Sequence, residues 1–375
     1  MEKFVAVAIC ALLTAPASGA SNSPHAGGLL QRAARLSGLH VHHAVRTATL
    51  PAGRYDQLLR RARNRDYPPA LRSSDSILYA RLGLTQSSER ATLMPTQTAS
   101  RAWYDPSARK LLLRRTPTAR RSAVLNELVR ALVDQNFNLR RLAGLYARDR
   151  DRALAAKGIV DGTAALASGL RARPASGTAL ERFLTSESAA RLTGGRQLAA
   201  QLRYLGGGAA LASALRAFPQ TTEQLLHVDK FLERERALPV RLPARVGDLK
   251  LTTAETFGEL DLRSLLQTFR VRNAATIAEG WGGGRLALYT SPAGETVAVL
   301  SLRWDTFDDA TEWRDAVPGY AAAAFPDATA HDCPPLDRCW SSASWTVAAG
   351  TLGDAALMAS GPGSESVAAA ILAQG

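Results

Sequence analysis

The sequence is poor in the residues and motifs on which several enzyme classes depend. Its 375 residues include three cysteines and six histidines, and no serine lies in a Gly-x-Ser-x-Gly elbow. The triple glycine 206–208 lacks the Lys-Ser/Thr pair of a phosphate-binding loop and is interpreted as a bend. After the N-terminus, no run reaches the roughly 18 uninterrupted apolar residues that a membrane-spanning helix needs. These absences exclude a serine-hydrolase elbow, a phosphate loop and an internal membrane anchor.

The first 20 residues have the composition of a cleavable export signal. A short charged start, residues 1–3, precedes the apolar run 4–13, and small residues lead to Ser21. Cys10 lies inside this signal, and no cysteine begins the mature chain to carry a lipid. We therefore expect an exported protein, extracellular or associated with the cell envelope, without a transmembrane anchor once residues 1–20 are removed.

The rest of the chain divides into three predicted segments. Residues 21–44 are small, polar and Gly-rich, which is typical of a flexible N-terminal segment. Residues 45–240 are mainly helical in periodicity, with a strand hairpin at 102–116. Residues 241–375 predict a small α+β region. The fold class is therefore α+β, in which a mainly helical domain with a small antiparallel sheet precedes the C-terminal region.

Strand and helix patterns alternate in the C-terminal region. The glycines after Trp281 predict a turn that opens a strand. Predicted strands cover 286–289, 296–304, 340–348 and 355–360, and predicted helices cover 307–324 and 364–372.

Cys333 and Cys339 are the cysteines that remain after signal removal, and Pro-Pro-Leu-Asp-Arg separates them. In an oxidising compartment this spacing favours a short disulfide-closed loop. A thiolate metal site would need further ligands, such as the neighbouring His331 and Asp332. We predict the disulfide.

Charge is distributed unevenly along the chain. The net charge is +13, yet residues 241–375 contain 10 basic and 16 acidic side chains, so the excess of positive charge lies before residue 241. The arginine runs there lack the interleaved aromatic residues that stack on bases, and no nucleic-acid partner is expected. Solvated helix faces explain these arginines best, and an anionic-polymer binder is the weaker alternative.

One strongly periodic helix, predicted over 118–138 with Thr118 as its cap, contains the sequence Asn126-Glu127-Leu128-Val129-Arg130. In a His-Glu-x-x-His helix, residues four apart share one face, so two imidazoles hold a metal while the glutamate activates water. Here the glutamate is present and both histidine positions are replaced, by Asn126 and Arg130.

Five motifs in this order resemble a family of exported, gluzincin-like bacterial zinc metallopeptidases, and the match covers most of residues 45–320. The family reads His-Glu-Leu-x-His-Ala-Leu-x-Asp-Gln-His-Phe where this chain has residues 126–137, and Ala-Leu-Val-Glu-Gly-Asp-Ala where it has residues 158–164. The resemblance implies a zincin-like fold for residues 45–240. The motifs lie at 103–106, 126–137, 158–164, 221–227 and 280–285.

Carried onto this chain, the resemblance places the former metal ligands at Asn126, Arg130 and Asp161 and the general base at Glu127. Zinc needs three protein ligands and an open position, whereas an amide and one shortened carboxylate would hold it poorly. A guanidinium at Arg130 stays cationic and repels a metal. We therefore expect no cofactor and no peptidase activity.

A charged side chain could replace the metal. The hypothesis is that Arg130 turns inward and pairs with Asp161 and Glu127. The rival interpretation is a surface contact between Arg130 and Asp134, worth about 0.3–0.5 kcal/mol.

Three further residues are candidates for the same cleft. Tyr104 belongs to the hairpin ahead of the site helix, and Glu223 and His227 lie four apart in a predicted helix. A local Glu-His contact explains that spacing better than metal binding.

Two functions of different classes follow from the sequence. The first is a catalytically silent relative of zinc peptidases that binds a peptide, an envelope polymer or a protein through the former active-site cleft. The second is an active zinc-dependent hydrolase with non-standard ligands such as His227.

Overall fold

The computed structural model describes residues 24–85, 101–116 and 119–374, which form an α+β fold. The predicted export signal and Thr118 lie outside these described residues. A mainly helical part ends near residue 240, and a part built on a large sheet follows it. Within the described ranges, no helix is long and apolar enough to span a bilayer.

Helices dominate the first part. Strands β1 (Arg46–Leu50), β2 (Ala102–Asp105) and β3 (Lys110–Arg114) form its sheet in the order β1-β3-β2. The predicted hairpin is confirmed as the antiparallel pair β2 and β3, whereas β1 adds parallel to β3, so the sheet is mixed rather than antiparallel. The described helices here are α1 (Pro24–Ser37), α2 (Ala52–Asp66), α3 (Pro69–Arg81), α4 (Arg121–Phe137), α5 (Leu145–Arg148), α6 (Arg150–Ser168), α7 (Ala179–Arg216), α8 (Thr222–Leu226) and α9 (Val228–Glu233).

The second part contains more strands than the sequence predicted. Its strands form one antiparallel sheet in the order β4-β5-β6-β7-β11-β10-β9-β8. Its described elements are β4 (Arg245–Val246), β5 (Leu249–Thr256), α10 (Glu259–Thr268), α11 (Ala274–Glu279), β6 (Trp281–Thr290), β7 (Thr296–Trp304), α12 (Phe307–Ala324), β8 (Thr329–His331), β9 (Arg338–Ser341), β10 (Thr346–Leu352), β11 (Ala355–Ser360) and α13 (Ser364–Leu372).

Helix α1 corrects the prediction that residues 21–44 form a flexible segment. Leu30 and Ala33 are buried and join the apolar core that α4 and α6 form. The chain after α1 is held as well, because the main-chain N–H of His42 donates to Oε1 of Gln135 at 3.0 Å. The apolar face of α1 and the hydrogen bond from His42 to Gln135 therefore order this segment from residue 24 onward.

The glycines that were predicted to form a turn lie inside strand β6. A Cβ on Gly283 would stand 2.3 Å from the carbonyl oxygen of Leu238, and one on Gly284 would stand 2.4 Å from that of Phe257. The glycines therefore permit close approach of neighbouring backbone rather than a change of chain direction.

The stretch 340–348, predicted as one strand, is a strand pair. Strand β9 ends at Ser341 and β10 begins at Thr346, and the two pair antiparallel. The predicted disulfide between Cys333 and Cys339 is confirmed, and it ties the loop before β9 to that strand.

The apolar core crosses the predicted boundary at residue 240. Leu78 of α3 and Phe183 of α7 are fully buried in the same cluster as Trp281 and Leu300 of the large sheet. The helical part and the sheet part therefore share a core.

Helices α6 and α7 cross at the distance of backbone contact. A Cβ on Gly195 of α7 would lie 1.9 Å from the carbonyl oxygen of Gly158, and one on Gly162 of α6 would lie 2.0 Å from the carbonyl carbon of Gly195. Only glycine fits these positions, and the crossing brings the residues beside Gly162 close to α7.

We predict that Gly195→Ala lowers the free energy of unfolding by about 1–3 kcal/mol or more, because the added methyl forces the two helices apart. Gly28→Ala is the control, since a Cβ there meets no atom within 4 Å and alanine favours the helix. Urea denaturation measures both variants. Equal stability of the two would show that α6 and α7 do not depend on this contact.

Candidate functional site

Helix α4 extends from Arg121 to Phe137, inside the predicted range 118–138. Its apolar stripe packs in the helical core, which leaves Asn126 and Glu127 at 6% and 8% exposure. The two residues are thus buried at the border of the core, where an ionised carboxylate needs partners.

The Glu127 carboxylate has a main-chain donor and a cation. Oε2 accepts from the main-chain N–H of Tyr104 in β2 at 2.8 Å and lies 3.9 Å from Nε of Arg130. Burial raises the pKa of Glu127 above its usual range, although Arg130 and the N–H of Tyr104 favour the ionised form. A carboxyl group so engaged is held in place by the edge strand of the small sheet.

Arg130 turns inward, as the sequence hypothesis required. Its Nη1 lies 3.1 Å from Oδ1 of Asp161 on α6, and its side chain is 29% exposed. Burial lowers the pKa of Arg130, but the carboxylates of Asp161 and Glu127 raise it by more, so the pKa lies above its ordinary value. One guanidinium therefore connects the carboxylates of two helices.

Arg191 of α7 is a partner that sequence analysis missed. Its guanidinium donates a hydrogen bond to Oδ2 of Asp161. Burial raises the pKa of Asp161, but Arg130 and Arg191 lower it by more, so the pKa of this carboxyl group lies below its usual range. Asp161 directly precedes Gly162, and Arg191 lies four residues before Gly195. The pairing therefore follows from the glycine crossing of α6 and α7.

Asn126 connects the site to the end of α6. When its amide is oriented to satisfy both polar atoms, the nitrogen donates to Oε1 of Glu127 and the oxygen accepts from the hydroxyl of Ser168, each at 3.3 Å. The residue thus serves as a hydrogen-bonding bridge. We name the group Asn126, Glu127, Arg130, Asp161 and Arg191 the ion-pair cluster.

The rival pairing of Arg130 with Asp134 is wrong. Asp134 accepts from the hydroxyl of Tyr104 and from the main-chain N–H of Leu139, both at 2.7 Å. Tyr104 is 2% exposed, and burial followed by the Asp134 contact raises the pKa of its phenol. Tyr104 therefore connects the hairpin to α4. The prediction that its side chain lines an open cleft is wrong, because the side chain is buried.

Glu223 and His227 do not pair with each other, because helix α8 ends between them. His227 is the extended junction residue with φ −122° and ψ 113°, and its Nε2 lies 2.9 Å from Oε1 of Glu259. Glu223 pairs instead with Nζ of Lys230. The two candidates belong to the contact between the helical part and the sheet part.

The donors of the ion-pair cluster do not fit zinc. They are an amide, two carboxylates and two guanidinium groups, and the cations would repel a metal ion. In the described chain, acidic, histidine and cysteine side chains come within metal-binding distance of one another in two other groups. Lys230 already pairs with all three carboxylates of one group, and Cys339 of the other is in the disulfide.

Removing the central cation should weaken the fold in a pH-dependent way. We predict that Arg130→Met lowers the free energy of unfolding at about pH 8 by about 1–3 kcal/mol, less than for a fully buried pair because Arg130 is 29% exposed. The deficit should shrink as the pH falls towards about 5. Glu127 has a raised pKa in the folded chain, so protonation on acidification removes the unpaired charge.

Urea denaturation at the two pH values measures this effect. Arg121→Met is the matched control, because Arg121 is exposed in the first turn of the same helix, where the positive charge adds no stability. A deficit that is equal at both pH values, or equal to that of Arg121→Met, would contradict the role of Arg130.

Comparison with known proteins concerns the other part of the chain. A domain of unknown function, DUF8575, matches residues 245–369, which contain the large sheet and neither α4 nor Asp161. No curated protein and no solved structure matches this chain. The chain is thus similar to DUF8575 domains in its C-terminal third, and the zinc-peptidase resemblance of the helical part remains a proposal.

Proposed function

We propose that this protein is a catalytically silent relative of gluzincin-like zinc peptidases, and that it acts by binding a peptide, an envelope component or a partner protein. The observation that carries the proposal is the position of Arg130, 3.1 Å from Asp161 and 3.9 Å from Glu127. A fixed guanidinium thus lies among the residues that the resemblance assigns to metal binding.

Glu127 lacks the surroundings that it would need to act as a general base in a metallopeptidase. A metallopeptidase needs a cation that polarises both water and the substrate carbonyl, with an open coordination position. Here the positive charge belongs to arginines that cannot offer such a position. Glu127 itself is held by the N–H of Tyr104 and by Arg130. The engaged carboxylate supports a structural and binding role.

The alternative of an active zinc peptidase has little support from the contacts of His227. That imidazole pairs with Glu259 at the N-terminal end of α10. Its pKa is raised, chiefly because it donates to Glu259, so it is protonated more readily than a free imidazole, and protonation blocks metal binding.

One feature supports the binding role. It is not the edge of strand β2, because the main-chain N–H of Tyr104 there already donates to Glu127 of α4. The Arg130 side chain is 29% exposed, whereas those of Glu127 and Asp161 are 10% and 14% exposed. A ligand can therefore approach part of the Arg130 side chain from solvent, although its Nε is buried.

The export of the protein is part of the same proposal. The signal-like residues 1–20 support it, and so does the disulfide of Cys333 and Cys339, since such bonds persist in oxidising compartments. We place the protein outside the cytoplasm, extracellular or at the cell envelope.

Restoring histidines tests the ancestry of the site. We predict that Asn126→His/Arg130→His/Arg191→Gln gains stoichiometric zinc, because the two imidazoles and Asp161, released from its arginine partners, then form a three-ligand set. Adding Asp161→Ala should abolish this binding. The unmodified protein should hold no stoichiometric zinc and should not cleave a peptide library. Elemental analysis after gel filtration measures the zinc.

The matched control is Gln31→His/Arg35→His, which places two histidines four apart on exposed positions of α1, in a stretch without aspartate or glutamate. Zinc retention by this control equal to that of the site variant would remove the support for a former metal site. Stoichiometric zinc in the unmodified protein that is lost on Asp161→Ala would overturn the proposal of a silent site.

A further inference from the structure

Helix α7 bends at a projecting apolar corner. Gly206 and Gly207 leave helical geometry, with φ −146° and ψ 24° at the first and φ 62° and ψ −154° at the second, which confirms the predicted bend. Tyr204 and Leu205 precede the bend and are 91% and 59% exposed. Large apolar side chains this exposed are unusual at a bend where small polar residues are expected.

The end of α1 lies beside this corner. Nη1 of Arg203 donates to the carbonyl oxygen of Leu36 at 3.0 Å, and the Leu36 side chain is 38% exposed. We name Leu36, Tyr204 and Leu205 the apolar tip. Two separate helices thus contribute exposed apolar side chains to one corner of the molecule.

Charge around the apolar tip has a single sign. Residues 24–55, which include α1, and residues 188–222, which include the bend, contain no aspartate or glutamate. Their arginines at 32, 35, 203 and 216 are exposed. The two segments that form the corner therefore contribute exposed apolar side chains and charge of positive sign only.

We propose that the apolar tip and the surrounding arginines bind the surface of an anionic lipid membrane. Tyrosine and leucine on a projecting corner can enter the interface between headgroups and acyl chains, where an amphipathic aromatic ring is favoured. Arginines beside them are attracted to anionic headgroups. A polyanion would use the arginines and leave the apolar tip in water, so the two features together favour a lipid surface.

The attachment is peripheral in this arrangement. The tip consists of single side chains at a helix bend, and the described helices include none that could cross a membrane. One such apolar anchor is weak alone, so binding depends on both apolar insertion and the basic surroundings.

Vesicle co-sedimentation tests the proposal. The chain from Ser21 onward retains every described residue and removes the apolar run 4–13, which could itself bind lipid. We expect it to partition onto vesicles of phosphatidylglycerol and phosphatidylcholine and much less onto vesicles of phosphatidylcholine. Tyr204→Ser/Leu205→Ser should lower the partition coefficient about tenfold or more, since it removes the buried apolar area.

Charge is tested separately by Arg32→Gln/Arg35→Gln, which should lower binding to the anionic vesicles and reduce its salt dependence. The matched control is Phe307→Ser/Leu352→Ser, which removes two apolar side chains that are 62% and 56% exposed in the acidic C-terminal part and should leave binding unchanged.

Three results would overturn the proposal. One is an absence of binding to anionic vesicles at low salt. Another is binding that Tyr204→Ser/Leu205→Ser leaves unchanged, which would indicate a purely electrostatic basic surface. The third is an equal loss in the Phe307→Ser/Leu352→Ser control. Circular dichroism and thermal melting of each variant establish that the compared chains are folded.

Discussion

The buried charge of Arg150 constrains the arrangement of the whole chain. Its side chain is 2% exposed, and its guanidinium pairs with Glu187 of α7 and Asp261 of α10. Its Nε donates to the hydroxyl of Tyr146 at 2.8 Å. Leaving such a cation buried without its carboxylates costs several kcal/mol, roughly 3–5 when a partner is removed. Helices from both parts must therefore meet around the first turn of α6, which explains why the core crosses residue 240.

Asp151, the residue after Arg150 in α6, makes a second contact that fixes this junction. Asp151 accepts from the main-chain N–H of Thr222 at 2.9 Å and from its hydroxyl, and burial raises the pKa of Asp151 to about 7. Gly258 packs so closely that a Cβ there would lie 1.8 Å from Oδ1 of Asp151. The start of α6 thus fixes the junction with α10, and its middle, at Asp161, fixes the ion-pair cluster.

The sequence predicted the elements that depend on the spacing of nearby residues. It did not predict the contacts that depend on how distant parts of the backbone approach one another. Helix α4 and the hairpin follow from periodicity, whereas the inward turn of Arg130 was one of two pairings that the sequence left open and was suggested by the family resemblance. Arg191 was missed because its contact with Asp161 requires the close approach of α6 and α7. The Glu223 and His227 pairing was wrong because the chain is extended at His227, where Glu259 offers a better partner than the helical spacing.

In the proposed descent from a zinc peptidase, replacement of an exchangeable metal by a guanidinium changes the conditions to which the site can respond. A zinc site loses its charge when metal is scarce or when its ligands are protonated, and stability is lost with it. Arginine stays charged across that range, so the pairing of Arg130 with Asp161 does not depend on metal supply. The remaining titratable member is Glu127, whose raised pKa makes it the first to accept a proton. Protonation of Glu127 would weaken its attraction to Arg130, the side chain that a ligand is proposed to approach.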